Sequence, residues 1–314
     1  LTKQPANAAS ARRFLVRGGK LREIKASPLG FLSSGILGPA GLLRLAAEPL
    51  VPGRPAERGD ESVWEFARRR IGRQAADRMI APMVLGVFAG DAKRLSLPAA
   101  FPKMAEIERE HGSLVRGLVA RARQKRLKGG PAGPSGTLTS FAGGLQELPR
   151  ALARHPETKV RTGAPVRALR EGPEGGFLVT ADGETVSAGA VVLAVEPWAA
   201  AELLEPLRPE AARRMAEIET PPVSVVALGF GPESFDRVPR GFGVLIPRGE
   251  GYRTLGVLWD THLFPGRSPE GRLLVRAMLG GAVDPGAAEA PPAEQVALCR
   301  RELGRLFGLT AEPV

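Results

Sequence analysis

Four apolar runs near the end of the 314-residue sequence decide its fold class: VSVVALGF (Val223–Phe230), FGVLI (Phe242–Ile246), TLGVLW (Thr254–Trp259) and LLVRAML (Leu273–Leu279). These short runs, rich in β-branched, aliphatic and aromatic residues, are typical of strands. Apolar residues at helical spacing flank them at Pro209–Glu219 and Ala293–Phe307. The sequence therefore predicts antiparallel strands with flanking helices.

The middle of the chain predicts a second α/β portion. Gly144–Arg154 has a helical pattern, and Val166–Arg170 and Gly176–Thr180 have strand patterns before a hairpin turn at Asp182-Gly183. Val191–Val195 is continuously apolar, which predicts a strand buried on both faces.

The first 130 residues predict a hairpin followed by helices. Phe14–Val16 and Leu21–Ile24 flank the turn Arg17–Lys20. Asp60 is the predicted N-cap of a helix over Glu61–Arg70. Further helices are predicted for Ala75–Val87 and from Pro98 towards Leu127, and the Gly- and Pro-rich segment Gly129–Gly136 is a predicted linker.

Composition limits the classes of protein. The longest apolar stretches, such as Ile80–Ala89, are shorter than the roughly 20 residues that a membrane-spanning helix needs. Cys299 is the only cysteine, so no internal disulfide forms, and we expect a packed thiol in a reducing, cytoplasmic setting. The chain begins at Leu1 without an initiator methionine, and both ends are expected to be internal to a longer protein.

The net charge of +11 suits nucleic acid, anionic lipid or a small anion, and a solvated surface is the simplest interpretation. Aromatic residues for base stacking make up only 5% of the chain, so no nucleic acid is expected. His111, His155 and His262 lack metal-ligand spacing, and no nucleophile elbow is present. We therefore predict no metal site and name no catalytic acid, base or nucleophile.

Several strings have local structural interpretations. Gly86–Asp91 is predicted to be a helix C-cap and turn, because glycine accepts the left-handed conformation. Glu110-His111 is interpreted as an exposed helical face rather than a proton relay. Gly143-Gly144 suits close backbone packing more than phosphate binding. Gly241–Ile246 lacks the third glycine of a dinucleotide fingerprint and lies within a strand pattern.

Taken in order, a set of strings across nearly the whole chain resembles oxygen-dependent protoporphyrinogen oxidases, a branch of the flavin-containing amine oxidase superfamily. The strings are Arg13–Leu15 with Gly18-Gly19, Ser27-Pro28 with Gly30–Leu32, Glu61–Val63 with Glu65–Arg70, Pro82–Val84 with Gly86–Asp91, Leu95–Leu97, Phe101-Pro102, Glu108–Leu114, Ser140-Phe141 with Gly143–Gln146, Gly241–Gly243, Leu255-Gly256 and Met278–Gly281.

The resemblance implies an α+β to α/β flavin amine oxidase-like fold, with a helical domain inserted between parts of an FAD-binding domain and an antiparallel-sheet substrate domain. The implied domains are a hairpin of the substrate-domain sheet at 1–27, a helical domain that could touch a membrane at 28–130, the remaining part of the FAD-binding domain at 134–205, and a substrate-binding domain at 206–314. The family's glycine-rich FAD pyrophosphate unit and its closing flavin segment are not in this sequence.

The resemblance also implies site residues. Val166 corresponds to a valine whose backbone contacts the flavin nucleotide. Five residues correspond to the porphyrinogen cavity: Phe242, Gly243, Leu245, Leu258 and Met278. Strand alternation predicts that Phe242 and Val244 share one face and Gly243 and Leu245 the other. Leu29 stands where some family members carry an arginine that could pair with a substrate propionate, so another group must bind it.

The implied function is the FAD-dependent, oxygen-using oxidation of protoporphyrinogen IX to protoporphyrin IX in haem biosynthesis, with the fragment inactive alone. Coproporphyrinogen as substrate, or another amine oxidase or desaturase, stays open. A non-catalytic basic binding module is the alternative of another class. The expected location is cytoplasmic, and peripheral contact with the inner face of the cell membrane is left open.

Overall fold

The computed structural model describes residues 1–25, 30, 33–54, 59–127 and 138–314, with side chains at 122 and 124–127 excluded. The predicted linker Gly129–Gly136, the string Ser27-Pro28 and Leu29 lie outside the described residues. The chain forms a large unit, Thr2–Ala142 with Pro221–Val314, and a small unit, Leu1 with Gly143–Thr220. The four domains implied by the resemblance stay a prediction.

The strands follow the chain in this order: β1 (Lys3–Pro5), β2 (Arg13–Arg17), β3 (Lys20–Glu23), β4 (Thr139–Phe141), β5 (Val166–Glu171), β6 (Phe177–Ala181), β7 (Glu184–Ala188), β8 (Val223–Phe230), β9 (Gly243–Leu245), β10 (Gly256–Trp259) and β11 (Leu273–Gly280).

The α-helices are α1 (Pro39–Ala46), α2 (Val63–Ile71), α3 (Arg73–Ala75), α4 (Ala81–Phe88), α5 (Leu97–Ala100), α6 (Pro102–His111), α7 (Leu114–Leu127), α8 (Glu147–Ala153), α9 (Pro197–Leu204), α10 (Pro209–Ala216), α11 (Asp260–Leu263), α12 (Pro285–Glu289) and α13 (Pro292–Phe307). A π-helical turn, Ala76–Ile80, joins α3 to α4, and 3₁₀ turns lie at Ala8–Ala11, Glu48–Leu50 and Pro232–Arg237.

A six-stranded sheet of order β3-β2-β9-β10-β11-β8 organises the large unit. Its neighbours are antiparallel except β2 and β9, which are parallel. The four predicted C-terminal strands and the predicted N-terminal hairpin are confirmed, and the hairpin pairs with the C-terminal strands in the same sheet. A separate two-stranded ribbon pairs β1 with β4.

One face of the six-stranded sheet forms the core of the large unit. Alternate strand residues, such as Val244, Val257 and Ala277, pack there with residues of α12 and α13. Trp259 lies at the centre, fully buried between Phe14 and Phe307. Cys299 of α13 is buried in the same core, where desolvation raises the pKa of its thiol to about 12. The predicted packed thiol is therefore confirmed.

The helices at 63–127 differ from the prediction in detail. Ser62, not Asp60, is the N-cap of α2, because Ser62 and Glu65 form a reciprocal capping box. The single helix predicted from Pro98 to Leu127 is instead three helices. The breaks lie before Pro102, whose ring disfavours helical geometry in Phe101, and at Gly112, which adopts φ +63°.

A buried charge cluster joins three separate parts of this helical region. The Arg70 Nε lies 3.2 Å from Glu48 and 3.1 Å from Glu108, and the Arg70 and Glu48 side chains are fully buried. Glu48 also accepts hydrogen bonds from the Ser113 hydroxyl and from the backbone N–H groups of Leu114 and Val115 at the start of α7. These contacts give the strings Glu65–Arg70 and Glu108–Leu114 a structural explanation that needs no catalytic role.

The small unit contains the three-stranded antiparallel sheet β5-β6-β7 and the packed helices α9 and α10. The predicted turn is confirmed, with φ of +49° at Asp182 and +81° at Gly183. The buried strand predicted at Val191–Val195 is wrong: this stretch pairs with no described strand, and Val192 is 89% exposed. An apolar run indicates a segment suited to burial, but it forms a β-strand only where another strand lies beside it to share backbone hydrogen bonds.

We predict that Arg70→Met lowers the free energy of unfolding by about 3–5 kcal/mol, because it leaves the buried carboxylates without their cation. Arg214→Met is the control, since Arg214 forms an exposed i,i+4 pair with Glu210 and should change stability by about 0–1 kcal/mol. Urea unfolding measures both. Equal effects of the two substitutions would contradict a structural role for the cluster.

Glu48 also predicts a pH dependence of stability. Burial raises the pKa of its carboxyl, but the hydrogen bonds from Ser113, Leu114 and Val115 and the charge of Arg70 outweigh burial and place the pKa below its ordinary value. A carboxyl with a lowered folded-state pKa stabilises the fold above the unfolded-state pKa, near 4.5, and this stabilisation is lost as pH falls through the folded-state value. With Glu48→Gln, the free energy of unfolding should therefore fall less steeply as the pH is lowered through this range.

Candidate functional site

The candidate site is the face of the six-stranded sheet opposite the core. Strand alternation turns every second residue of β8, β9, β10 and β11 away from the core. The cross-strand register places Leu245, Gly256 and Met278 in one row and Gly243, Leu258 and Arg276 in the next. Neighbouring strands are about 4.8 Å apart, so these two rows form one continuous surface.

Four of the five residues predicted to bind substrate therefore meet on this face: Gly243, Leu245, Leu258 and Met278. Leu245, Leu258 and Met278 are half-buried, unlike the fully buried Val257 and Ala277 that alternate with them. The structure brings these residues together; their role in binding stays a prediction.

Phe242 departs from the predicted alternation. Val244 is in the core, whereas the Phe242 ring is half-buried beneath the Arg13 guanidinium, 5.4 Å from its centroid. Arg13 precedes the core residue Phe14, so it points to the open face of the sheet. The expectation that Phe242 and Val244 share a face is wrong, because Gly243, at φ +152°, interrupts the regular alternation.

Glycines allow the backbones on this surface to come close. A Cβ on Gly243 would lie 2.2 Å from the Val257 carbonyl oxygen, and one on Gly256 would lie 2.7 Å from that of Val244. Each row therefore contains one glycine beside residues with larger side chains. Both glycines are buried, and the space that a Cβ would need is taken by the backbone of the neighbouring strand.

Helix α4 covers part of the open face. A Cβ on Gly86 would lie 2.5 Å from Leu245 Cδ2, so glycine is needed where the helix crosses β9. The Ala282 N–H donates to the Ala89 carbonyl over 2.7 Å. The strings Gly86–Asp91 and Met278–Gly281 therefore meet in space. The predicted C-cap is confirmed, although Ala89, at φ +52°, is the left-handed residue.

An open strip remains on β10, β11 and β8, which we define as Leu258, Met278, Val225 and Ala227 with Arg276. Val225 pairs with Met278 and is 55% exposed, and Ala227 pairs with Arg276 and is also exposed. Arg276 bonds to Asp260 through both Nε and Nη2, at 2.5 and 2.7 Å. This hydrogen bonding raises the pKa of the Arg276 guanidinium.

Arg276 and Arg13 were not identified from the sequence as site residues. The signal for Arg276 was present: a lone charged residue inside LLVRAML shares its face with Met278, two positions later. Arg13 carried no comparable signal, because its place beside Phe242 depends on the parallel pairing of β2 with β9.

Val166 belongs to the small unit and is described separately. It opens β5, pairs with Ala181, and is followed by a bulge at which Arg167 has no partner in the register. β5 is an edge strand of its sheet, so one of its hydrogen-bonding edges faces no strand of that sheet. These features fit a backbone contact with a nucleotide, although the predicted contact itself stays untested.

The glycine pair of the small unit does not form a phosphate site. The Gly143 N–H, beside the first turn of α8, donates to the Glu147 carboxylate. A protein anion already occupies this position, so Gly143-Gly144 does not form a phosphate cradle. Val166 therefore stays the predicted FAD contact of the small unit, and the described residues include no glycine-rich loop for the FAD pyrophosphate.

The histidines do not extend the candidate site. His262 is buried with its ring edge-on to Phe235, and desolvation lowers its pKa. His111 is the last residue of α6, and His155 follows α8 in the small unit. Within the described ranges no group of three metal-binding side chains occurs. Likewise, no described helix has the length and apolarity required to cross a bilayer.

Known proteins resemble this chain across nearly all of its length. Protoporphyrinogen oxidase 1, chloroplastic, from Arabidopsis thaliana is 34% identical over 95% of the chain and 59% of the relative. Coproporphyrinogen III oxidase from Bacillus subtilis is 28% identical over 90% of the chain and 60% of the relative. The chain thus spans about three fifths of the length of these relatives.

A solved structure supports the fold. A putative protoporphyrinogen oxidase from Exiguobacterium superposes with a TM-score of 0.81 at 20% identity, covering 99% of this chain and 67% of the other. The flavin amine oxidase-like mixed α and β fold is therefore confirmed. The family model for flavin containing amine oxidoreductases matches residues 5–314. The chain belongs to the flavin containing amine oxidoreductase family.

Proposed function

We propose that this chain supplies the substrate wall of an FAD-dependent oxidase that converts protoporphyrinogen IX to protoporphyrin IX with oxygen as acceptor. The observation that carries the proposal is the register that assembles Leu258 and Met278 beside Gly243 on one open face. Relatives named protoporphyrinogen oxidase support the choice of substrate.

The wall suits a large, flat and mainly apolar ligand. Leu258 and Met278 offer aliphatic contact, and the flexible methionine can adjust to an irregular outline. Phe242 adds an aromatic ring at one end, where Arg13 holds it. The glycines of β9 and β10 let these neighbouring strands pack closely beneath the site. These residues hold and orient a macrocycle without transferring a proton themselves.

Orientation is the main catalytic contribution that we assign to this chain. A porphyrinogen methylene lies between electron-rich pyrroles, so hydride loss leaves a delocalised cation and needs little acid or base assistance. FAD would supply the hydride acceptor when bound. Val166 would contact its nucleotide through the backbone. The wall excludes water from one side of the substrate.

Coproporphyrinogen is a second candidate substrate. The relative from Bacillus subtilis carries that name, and the strip contains Arg276, which suits a substrate with carboxylates near its ring. The two candidates share the same macrocyclic core and differ in the number of acidic side chains. Relative kcat/KM for the two porphyrinogens would separate them.

We also propose that α7 touches an anionic membrane surface. Val115, Leu118 and Val119 are exposed at i, i+3 and i+4 spacing, which makes an apolar stripe on a helix that also carries Arg116 and Arg121. Basic helices with an exposed apolar face bind the interface of anionic bilayers.

Met278→Ala in the full-length protein should lower kcat/KM with protoporphyrinogen while FAD stays bound. Losing packing against the ring corresponds to about 1–3 kcal/mol, or roughly fivefold to 150-fold. Met215→Ala is the control, since Met215 lies on α10 of the small unit. Steady-state kinetics with a flavin titration measure both; unchanged kinetics, or loss of flavin instead, would remove Met278 from the wall.

Residues 1–314 purified alone should lack the yellow flavin spectrum, because the described part of the chain has no phosphate cradle for FAD. The chain is mixed with FAD and passed through gel filtration, and the flavin absorbance of the protein peak gives the amount of FAD retained per chain. Stoichiometric retention would contradict this expectation.

Membrane contact through α7 predicts that Leu118→Asp reduces co-sedimentation with anionic vesicles. The charge would interrupt the apolar stripe. Val192→Asp is the control, because Val192 is an exposed aliphatic residue of the small unit. Equal sedimentation of the unaltered protein with anionic and neutral vesicles would refute the contact.

A further inference from the structure

Arg276 is the cation of the otherwise apolar open strip. It lies opposite Leu258 on β10 and opposite Ala227 on β8, and it is two positions before Met278 on the same face of β11. Its side chain is 44% exposed. Any ligand that covers Leu258 and Met278 must therefore also lie against, or end beside, this guanidinium.

Asp260 fixes the orientation of Arg276. The carboxylate takes the Nε and Nη2 edge of the guanidinium in a two-point contact, and Asp260 itself is only 6% exposed. Two parallel hydrogen bonds restrain a planar guanidinium far more than one. The remaining nitrogen, Nη1, donates no hydrogen bond to any described residue.

Covering this nitrogen with an apolar ligand would be unfavourable. A buried N–H without an acceptor loses its hydration without compensation, and the loss is larger when the donor is charged. An occupant that is apolar over Leu258 and Met278 must bring an acceptor to Arg276. A carboxylate meets this need best, because charge-assisted hydrogen bonds are roughly twice as strong as neutral ones.

A purely structural ion pair elsewhere in the chain provides the comparison. Arg253 binds Asp284 through Nε and Nη2 at 2.9 and 2.7 Å, the same two-point geometry. Arg253 precedes β10 and lies outside the open strip. The two pairs thus share their chemistry and differ in what lies beside the arginine.

We propose that Arg276, held in place by Asp260, receives a carboxylate of the tetrapyrrole that lies on the open strip. This inference rests on the proposed function and deepens it, since it names a group that selects acidic tetrapyrroles. Arg276 is then a binding residue and Asp260 a positioning residue.

Equilibrium binding of protoporphyrin IX and of its dimethyl ester to the full-length protein tests the inference. The unaltered protein should bind the free acid more tightly than the ester. Arg276→Gln should weaken binding of the acid by about tenfold to hundredfold and leave the ester unchanged. Arg253→Gln should alter neither. Asp260→Asn should lower the acid-to-ester ratio with the ester affinity retained.

The outcomes separate this inference from the proposed function. Met278→Ala could weaken the binding of both porphyrins while Arg276→Gln leaves the ratio of acid affinity to ester affinity unchanged. That result would overturn the carboxylate role of Arg276 and leave the proposed substrate wall supported. If neither porphyrin binds, the proposed function fails and the inference fails with it. Should Arg276→Gln not fold because Asp260 is left unpaired, the double variant Arg276→Gln with Asp260→Asn decides, and an unchanged ratio overturns the proposal.

Discussion

The register of β10 is the constraint on which the candidate site depends. Trp259 is fully buried between Phe14 and Phe307, and its neighbour Leu258 therefore points to the opposite face. A one-residue slip would put Leu258 in the core and bring the indole to the open strip. The large aromatic side chain thus specifies the pairing with β9 and β11, and with it the alignment of Leu258 beside Gly243 and Arg276.

Close backbone contacts then shape the surface that this register exposes. Gly86 lets α4 cross β9, and Gly281 lets the chain after β11 approach the Ala89 carbonyl, which a Cβ there would meet at 2.7 Å. The helix covers Leu245 but leaves β8 and the neighbouring parts of β10 and β11 open. Close packing therefore explains the glycines at positions 86 and 281. The open strip is the part of the sheet face that α4 does not cover.

The charged residues divide into structural and site groups by their surroundings. Arg70 lies wholly inside the helical region, where Glu48 and Glu108 surround it and Ser113 completes the network. Arg276 has one buried acidic partner and keeps an exposed edge on an apolar surface. The same residue type therefore stabilises the fold in one place and offers a recognition group in the other.

The sequence by itself determined the main strands, the N-terminal hairpin and the fold family, because period-two patterns, turn residues and ordered strings are local properties. The resemblance also named Leu245, Leu258 and Met278 as cavity residues, and the register brings them to one face, while their role in binding stays a prediction. Tertiary structure alone decided that Phe242 leaves the face of Val244, since Gly243 adopts a backbone angle that alternation does not anticipate. It also decided that Val191–Val195 is not paired and that Arg13 lies beside Phe242, because strand pairing depends on which distant segments meet.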